Sequence, residues 1–267
     1  MKTLKERAKL IKIILFDIDD TLRVKNTTYM PDSVALLFEK LRSKGIYSGI
    51  ATGRNFMGII PEIKALKPDF FITANGAYVE DKNQNVIYDQ HYEVDFVKDQ
   101  IEWLKSVGSG YVFYGNHAVA ISGWSDFAHD IFQDIYGNIP VNPDFYKDKS
   151  VYQLVTFSDH DDQLVLPEKF KDKIRMVRWH PFSSDLVPMV GSKAIGAEKV
   201  LDHLGLKAEN LMNFGDELND RELFDFAGLS VAMKISHPEI LEKADYITDT
   251  VENDGIYKAL LELGIIE

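Results

Sequence analysis

The sequence predicts an α/β protein: a Rossmann-like, doubly wound parallel sheet with an α+β domain inserted into it. Three observations carry that reading. Two stretches, roughly the first 76 residues and those from Lys193 onward, alternate short apolar runs with amphipathic helical runs, the rhythm of a parallel sheet with crossover helices. Between them strand-like runs follow one another directly, which suggests a separate α+β unit with its helices on one side. The first apolar run, Ile11 to Phe16, stops at the carboxylates Asp17, Asp19 and Asp20 and the hydroxyl of Thr21. Acids at the carboxyl end of a buried strand lie where open α/β sheets bind ligands.

Composition narrows the function. The chain has 267 residues, 45% of them apolar, and a net charge of −12 from 30 basic and 42 acidic side chains. That balance argues against nucleic acid and anionic membranes as partners. It leaves room for an anionic substrate, because a bound cation and one lysine can invert the field locally. The absence of cysteine excludes disulfides, zinc–thiolate centres and thiol nucleophiles, and fits a reducing cytoplasm. No apolar run is long enough to span a bilayer. Lys2, Lys5, Arg7 and Lys9 precede a short apolar run that contains Lys12 and lacks a cleavage site, so they read as a basic lead-in to a core strand rather than a signal peptide.

The elements follow in order. After the polar loop Arg23 to Thr28, Pro31 opens a helix whose buried stripe is Val34, Leu37, Phe38 and Leu41 and which stops at Gly45. Ile46 to Ala51 is a strand leading into Thr52-Gly53-Arg54. Phe56 to Leu66 is helical with a break at Pro61. Phe70 to Thr73 is a strand ending at Asn75-Gly76-Ala77.

The texture then changes. Tyr78-Val79 and Val86 to Tyr88 flank a polar turn, a hairpin signal. Val94 to Val107 and Ser125 to Tyr136 are amphipathic helices. Val112 to Tyr114, Ala118 to Ile121, Val151 to Phe157, Ile174 to Trp179 and Asp185 to Val190 are strands. The expected boundaries are 1–81 and 188–267 for the core and 82–187 for the insert. From Lys193 the first rhythm returns. Lys193 to Leu204 is a helix stopped by Gly205, and Leu211 to Phe214 a strand entering Gly215-Asp216-Glu217-Leu218-Asn219-Asp220. Arg221 to Phe226, Pro238 to Lys243 and Ile256 to Leu263 are helices, with strands at Leu229 to Ala232 and Tyr246-Ile247.

The predicted strand ends therefore carry Asp17 and Asp19, Thr52-Gly53, Asn75, and Asp216, Asn219 and Asp220, with Lys193 at a helix start. Asp17 and Asp19 stand two apart, so an extended backbone points both to one side, and a divalent cation is the usual remedy for their repulsion. Each feature also has a plain structural reading as a turn, a cap or an acid near a helix N-terminus. Together they would need one coincidence at every tight turn of a single sheet.

In these residues the chain resembles the haloacid dehalogenase-like (HAD) phosphohydrolases, specifically the Cof-type (class IIB) group with a large cap inserted after the third strand. The matching residues are Asp17-Ile18-Asp19-Asp20-Thr21, Thr52-Gly53-Arg54, Asn75-Gly76-Ala77, Lys193, Gly215-Asp216-Glu217-Leu218-Asn219-Asp220 and the tail from Val231-Ala232-Met233 to Asn253-Asp254-Gly255. Lys234-Ile235 departs from the pattern, where relatives usually carry Gly-Asn.

The resemblance implies a Mg²⁺-dependent phosphomonoesterase acting on a small phosphorylated metabolite, most often a sugar phosphate. Asp17 would be the nucleophile and Asp19 the general acid and base. Mg²⁺ would sit on the Asp17 and Asp216 carboxylates and the Asp19 main-chain carbonyl. Thr52, Gly53, Arg54, Asn75, Lys193 and Asn219 would hold the substrate, Thr52 and Lys193 also serving catalysis. Asn219 and Asp220 would orient the others.

In the insert, Asn116, His117, Arg178, His180 and Ser183 read first as exposed loop residues, and Trp179 as core. A sugar phosphomutase on the same scaffold is the nearest alternative. A phospho-acceptor signalling module is more remote, being about half this length. A nucleotide-binding module is disfavoured, since no glycine-rich loop follows the first strand. The expected molecule is cytoplasmic, and a monomer or weak homo-oligomer.

Overall fold

The computed structural model describes residues 2–189 and 191–267, with only the backbone of 133–136. The chain begins with α1 (Leu4–Ala8), β1 (Ile13–Phe16), α2 (Asp32–Ser43), β2 (Tyr47–Ala51), α3 (Pro61–Ala65), β3 (Phe70–Thr73), β4 (Tyr78–Asp81) and β5 (Val86–Asp89). It continues through α4 (Val94–Ser106), β6 (Gly110–Tyr114), β7 (Val119–Ile121), α5 (Asp126–Tyr136), β8 (Gln153–Phe157), β9 (Ile174–His180) and β10 (Ser183–Pro188). It closes with α6 (Lys193–Leu204), β11 (Leu211–Gly215), α7 (Arg221–Phe226), β12 (Leu229–Ala232), α8 (Pro238–Lys243), β13 (Tyr246–Ile247) and α9 (Gly255–Glu262). Two compact units result. One comprises Met1–Gly53, Ile60–Asp89 and Ser192–Glu267, the other Arg54–Ile59 and Gln90–Gly191.

The first unit is built on a sheet of order β13-β12-β11-β1-β2-β3-β4-β5. The strands from β13 to β3 pair in parallel, and β4 and β5 add an antiparallel edge. All four residues of β1 are buried, so the strand reads as a continuous apolar run rather than an alternating one. Ile13 and Leu15 pack on one face with Ala197, Val200 and Leu201 of α6. Phe16 faces the opposite way, its ring 5.2 Å from that of Phe38 in α2 and 5.4 Å from that of Phe214. The chain lays β2 and β3 on one side of β1, then crosses to lay β11 and β12 on the other. The switch point of the doubly wound sheet thus lies between β1 and β11.

Most of the expected elements form. Helix α6 runs from Lys193 to Leu204 and ends at Gly205, whose φ of +66° is the left-handed cap glycine adopts without a Cβ penalty. Pro61 occupies the first turn of α3 and separates it from a one-turn 3₁₀ helix, Phe56–Gly58. Pro31 is the N-cap of α2 rather than its first residue.

Other expectations give way. The basic lead-in contains a helix, α1, set by a capping box between Thr3 and Glu6. Arg7 on that helix donates to both carboxylate oxygens of Asp245, at 2.7 and 2.6 Å, and to the Gly228 carbonyl. The expected junction at Asp81 falls inside the β4–β5 hairpin. Because β4 pairs with β3, the whole hairpin stays with the first sheet, and the units part after Asp89 and Gly191. The strand expected over 185–190 is β10, Ser183–Pro188, and Val190 lies outside the described residues.

The second unit holds an antiparallel sheet of order β7-β6-β8-β10-β9. Its two long helices lie on opposite faces rather than one. Phe113 and Leu154 pack with Val97, Ile101 and Leu104 of α4, while Val112 and Val155 pack with Ala128, Ile131 and Phe132 of α5. Successive residues of β6 and β8 are apolar, so both faces of the sheet need cover.

Candidate active site

The switch point brings the acids together. Phe16 and Phe214 are register partners, and the Asp17 amide donates to the Phe214 carbonyl at 3.1 Å. Asp17 thus leaves β1 beside the end of β11, where Asp216 follows Gly215. Between Asp17 and Thr21 the chain folds tightly back on itself. Leu22 and Arg23 both donate their amides to the Ile18 carbonyl, and Asp20 takes a φ of +56°. The fold-back lets the Thr21 hydroxyl donate to Asp216 Oδ1 at 2.9 Å.

Lys193, the first residue of α6, is fully buried. Its ammonium donates to Asp17 Oδ1 and to Asp220 Oδ1, each at 2.7 Å. The second oxygen of Asp220 accepts from the amides of Asp216 and Glu217 at 3.2 and 3.3 Å. Gly215 makes room for that carboxylate, since a Cβ there would stand 2.5 Å from Asp220 Oδ2. Asp17, Asp216 and Asp220 form the acid cluster of this site, with ligand atoms within 4.8 Å of one another.

Electrostatics follow from burial. Burial raises the Asp17 carboxyl to about 7; the Lys193 charge opposes the rise and the Asp220 charge adds to it. Burial likewise raises Asp216 to about 8, helped by Asp17 and Asp220 and resisted by the Thr21 hydrogen bond. Burial works against the Lys193 charge, but Asp17 and Asp220 outweigh it and its pKa is raised. Three ionised carboxylates against one ammonium leave two uncompensated negative charges. Such a cluster favours retained protons or a bound cation. The donors are hard carboxylate oxygens with no histidine or thiolate among them, which fits Mg²⁺.

Several expected residues converge here. Thr52 is buried at the end of β2, and its carbonyl accepts from the Asn75 amide at 3.1 Å. Asn75 Oδ1 accepts from Asn219 Nδ2 at 3.1 Å, and this amide pair lies over Gly53, where a Cβ would come within 3.0 Å of Asn75 Oδ1. Asp19 is half-buried and lies outside the acid cluster, while Asp220, expected to orient the others, lies within it. Arg54 follows Gly53 directly in the chain. It belongs to the second unit, where its guanidinium donates to the Gly58 carbonyl at 2.7 Å. Thr21, which received no site role from the sequence, is the hydroxyl that fixes Asp216. Its place four residues after Asp17 was visible, but its partner is 195 residues away.

In the second unit, Asn116 and Ser183 are buried rather than exposed. Asn116 Oδ1 accepts from the Phe56 amide at 3.2 Å, and the Ser183 hydroxyl donates to the Thr156 carbonyl at 2.8 Å. The Arg178 guanidinium donates to Asp161. The His117 ring lies 4.5 Å from that of Phe56, and His180 Nδ1 accepts from the Phe182 amide. Trp179 is not core: it is 43% exposed on the edge strand β9, its indole N–H donating to Asp185 at 2.8 Å.

Comparison with known proteins shows the family. The sequence profile of the haloacid dehalogenase-like hydrolases matches residues 14–260. The chain belongs to the haloacid dehalogenase-like hydrolase family. It is 47% identical over 264 residues to a Streptococcus pyogenes protein named "Putative bifunctional phosphatase/peptidyl-prolyl cis-trans isomerase"; the match covers 99% of this chain and 56% of that relative. It is 30% identical over 262 residues to "Putative phosphatase YkrA" of Bacillus subtilis, covering 96% of this chain and 99% of the relative. Among solved structures it resembles the HAD subclass IIB sugar phosphatase BT4131, with a TM-score of 0.79 and 30% identity over 96% of this chain and 100% of that one. The fold is that of the haloacid dehalogenase-like hydrolases with a cap domain, of the Cof-type class IIB group, and the protein is a phosphatase. Among the described residues no helix is long and apolar enough to cross a membrane.

Proposed function

We propose that this phosphatase is a Mg²⁺-dependent phosphomonoesterase that acts on a small phosphorylated metabolite, of the sugar-phosphate class, through a phosphoryl group carried on Asp17. The observation that supports it most is the buried ammonium of Lys193 bridging Asp17 and Asp220 beside Asp216. In this reading Lys193 holds Asp17 Oδ1 and leaves Oδ2 to attack phosphorus. As the Asp17–phosphorus bond forms, the bond to the leaving alcohol breaks, and Asp19 gives its proton to the departing oxygen. Asp19 then takes a proton from water, which attacks phosphorus and returns Asp17 and inorganic phosphate. Lys193 offsets charge on the phosphoryl oxygens throughout. Thr52 and the Gly53 amide hold phosphate oxygens, glycine allowing the close approach, with Asn75 and Asn219 as further substrate contacts. Mg²⁺, on the Asp17 and Asp216 carboxylates and the Asp19 carbonyl, would supply charge that keeps both acids ionised and draws the phosphate in.

We assign choice among metabolites to the inserted segment, because the expected catalytic residues all lie in the first unit. The name of BT4131 as a sugar phosphatase supports the substrate class. The test is phosphate release across a panel of sugar phosphates and other phosphometabolites, with and without Mg²⁺. Steady release from a sugar phosphate that stops on chelation is expected. Full activity in excess chelator would overturn the metal assignment, and turnover that needs a diphosphorylated sugar would favour the mutase.

A further inference from the structure

The segment Ala74-Asn75-Gly76 takes three consecutive positive φ angles, +48°, +52° and +90°. Only the third residue is glycine, so two side-chain-bearing residues are held where L-residues rarely go. Such a conformation persists only where the surroundings over-determine it, and here they do. The Asn75 amide donates to the Thr52 carbonyl at 3.1 Å, and the Ala77 amide to the Ala74 carbonyl at 3.2 Å. Asn75 Oδ1 accepts from Asn219.

Gly76 has the most demanding place. A Cβ on it would lie 2.0 Å from the Ser192 carbonyl oxygen, 2.7 Å from the Ser192 carbonyl carbon and 3.2 Å from the Lys193 amide nitrogen. All three are backbone atoms and cannot swing aside. Across the same contact, a Cβ on Gly196 would lie 3.2 Å from Gly76 Cα and 2.4 Å from Ile72 Cγ2. Two glycines, one in the turn and one in the first turn of α6, therefore set how closely this helix approaches the end of β3. The peptide they bear on is the one that carries Lys193.

We propose that the turn is the positioning element of Lys193, with Gly76 the residue that sets where the ammonium stands relative to Asp17. Asn75, tied to Asn219 and lying over Gly53, fixes the turn to the neighbouring substrate-binding segments. The proposal rests on the phosphatase reading of Lys193 and adds to it residues that act through the lysine rather than on the substrate. The bare Cα of Gly76 lets the Ser192–Lys193 peptide seat against it. Any side chain there would lift the start of α6 and carry the lysine away.

The test is a double-mutant cycle on an aryl phosphate with a structural control. Gly76→Ala is expected to lower kcat about 10- to 100-fold, the loss a misplacement of about 1 Å can produce, with KM little changed. In a Lys193→Met background it should cost nothing further, because the group it displaces is already gone. Gly205→Ala is the control. It imposes a similar strain at φ +66° on the far end of the same helix with nothing within 4 Å, so it should lower Tm and leave kcat unchanged. An equal fold-loss in both lysine backgrounds, or wild-type kcat in a folded Gly76→Ala protein, would overturn the proposal. If Gly76→Ala does not fold, Gly196→Ala pushes α6 off Ile72 and Gly76 from the helix side, and full kcat there with α6 displaced in its crystal structure counts against the proposal. A crystal structure of whichever variant folds decides independently of activity. Lys193 Nζ should move out of hydrogen-bond range of Asp17 Oδ1, and an unchanged 2.7 Å would contradict the proposal. Should the wild type release phosphate from no ester, the functional reading fails while this crystallographic arm still decides the positioning.

Discussion

The ammonium of Lys193 stands 2.7 Å from Asp17 Oδ1 with none of its surface exposed to solvent. A buried cation in that position can act only on what enters the acid cluster. Lys193→Met removes it and leaves Asp17, Asp216 and Asp220 without a counter-charge. The expected result is a loss of turnover of at least ~10²–10³, the usual effect of removing one donor aimed at developing charge. Steady-state kinetics on a sugar phosphate and an aryl phosphate check it, and a fall of less than tenfold would contradict the role.

The acid cluster makes stability without metal depend on pH. Asp17 and Asp216 titrate near 3.8 when unfolded and are raised to about 7 and about 8 when folded. The folded chain therefore binds protons that the unfolded chain has released. Their contribution is fully present below the unfolded value and is lost as pH rises through 7 to 8. Metal-free protein should lose Tm between about pH 5 and pH 8 from these groups, and added Mg²⁺ should restore most at the alkaline end. Thermal unfolding in chelator and in Mg²⁺ across that window checks the sign. A metal-free Tm contribution that rises toward pH 8 would be the contrary result.

Asp216→Asn separates metal binding from folding. The amide oxygen can still accept from Thr21, and one excess negative charge is gone. Without metal at pH 8 the variant should gain about 1 kcal/mol, or ~2–4 °C in Tm for a chain of this size. Stabilisation by Mg²⁺ should shrink sharply. A variant that Mg²⁺ stabilises as strongly as wild type would remove Asp216 from the metal site.

Asp19→Asn tests proton delivery. Its expected metal contact is a main-chain carbonyl, so Mg²⁺ should still raise Tm. General acid catalysis contributes about 10²–10⁴ in rate. The loss should be large for an alkyl phosphate and smaller for an aryl phosphate, whose phenolate leaves without full protonation. Equal impairment on both substrates would count against Asp19 as the acid.

What was legible in the sequence follows from range. Local signals were reliable: Gly205 ended α6, Pro61 broke the helical run, and Leu229 to Ala232 formed the expected strand. The acids and Lys193 could be found because each stands at a strand end or helix start. Pairings across the fold were not legible. Nothing near Thr21 announces Asp216, and nothing near Arg7 announces Asp245. Trp179 is exposed because β9 is an edge strand, which strand order decides and local composition does not. The left-handed Ala74 has a side chain that gives no hint of its φ; only its neighbours hold it there.

The most direct test is to find where phosphorus resides during turnover. Wild type and Asp19→Asn are mixed with an aryl phosphate and Mg²⁺, quenched in acid within milliseconds, digested and mapped by mass. One phosphoryl adduct is expected, on Asp17, accumulating further in Asp19→Asn because water activation is slowed, and absent in Asp17→Asn. Turnover by Asp17→Asn at the wild-type rate, or an adduct on any residue other than Asp17, would contradict this expectation.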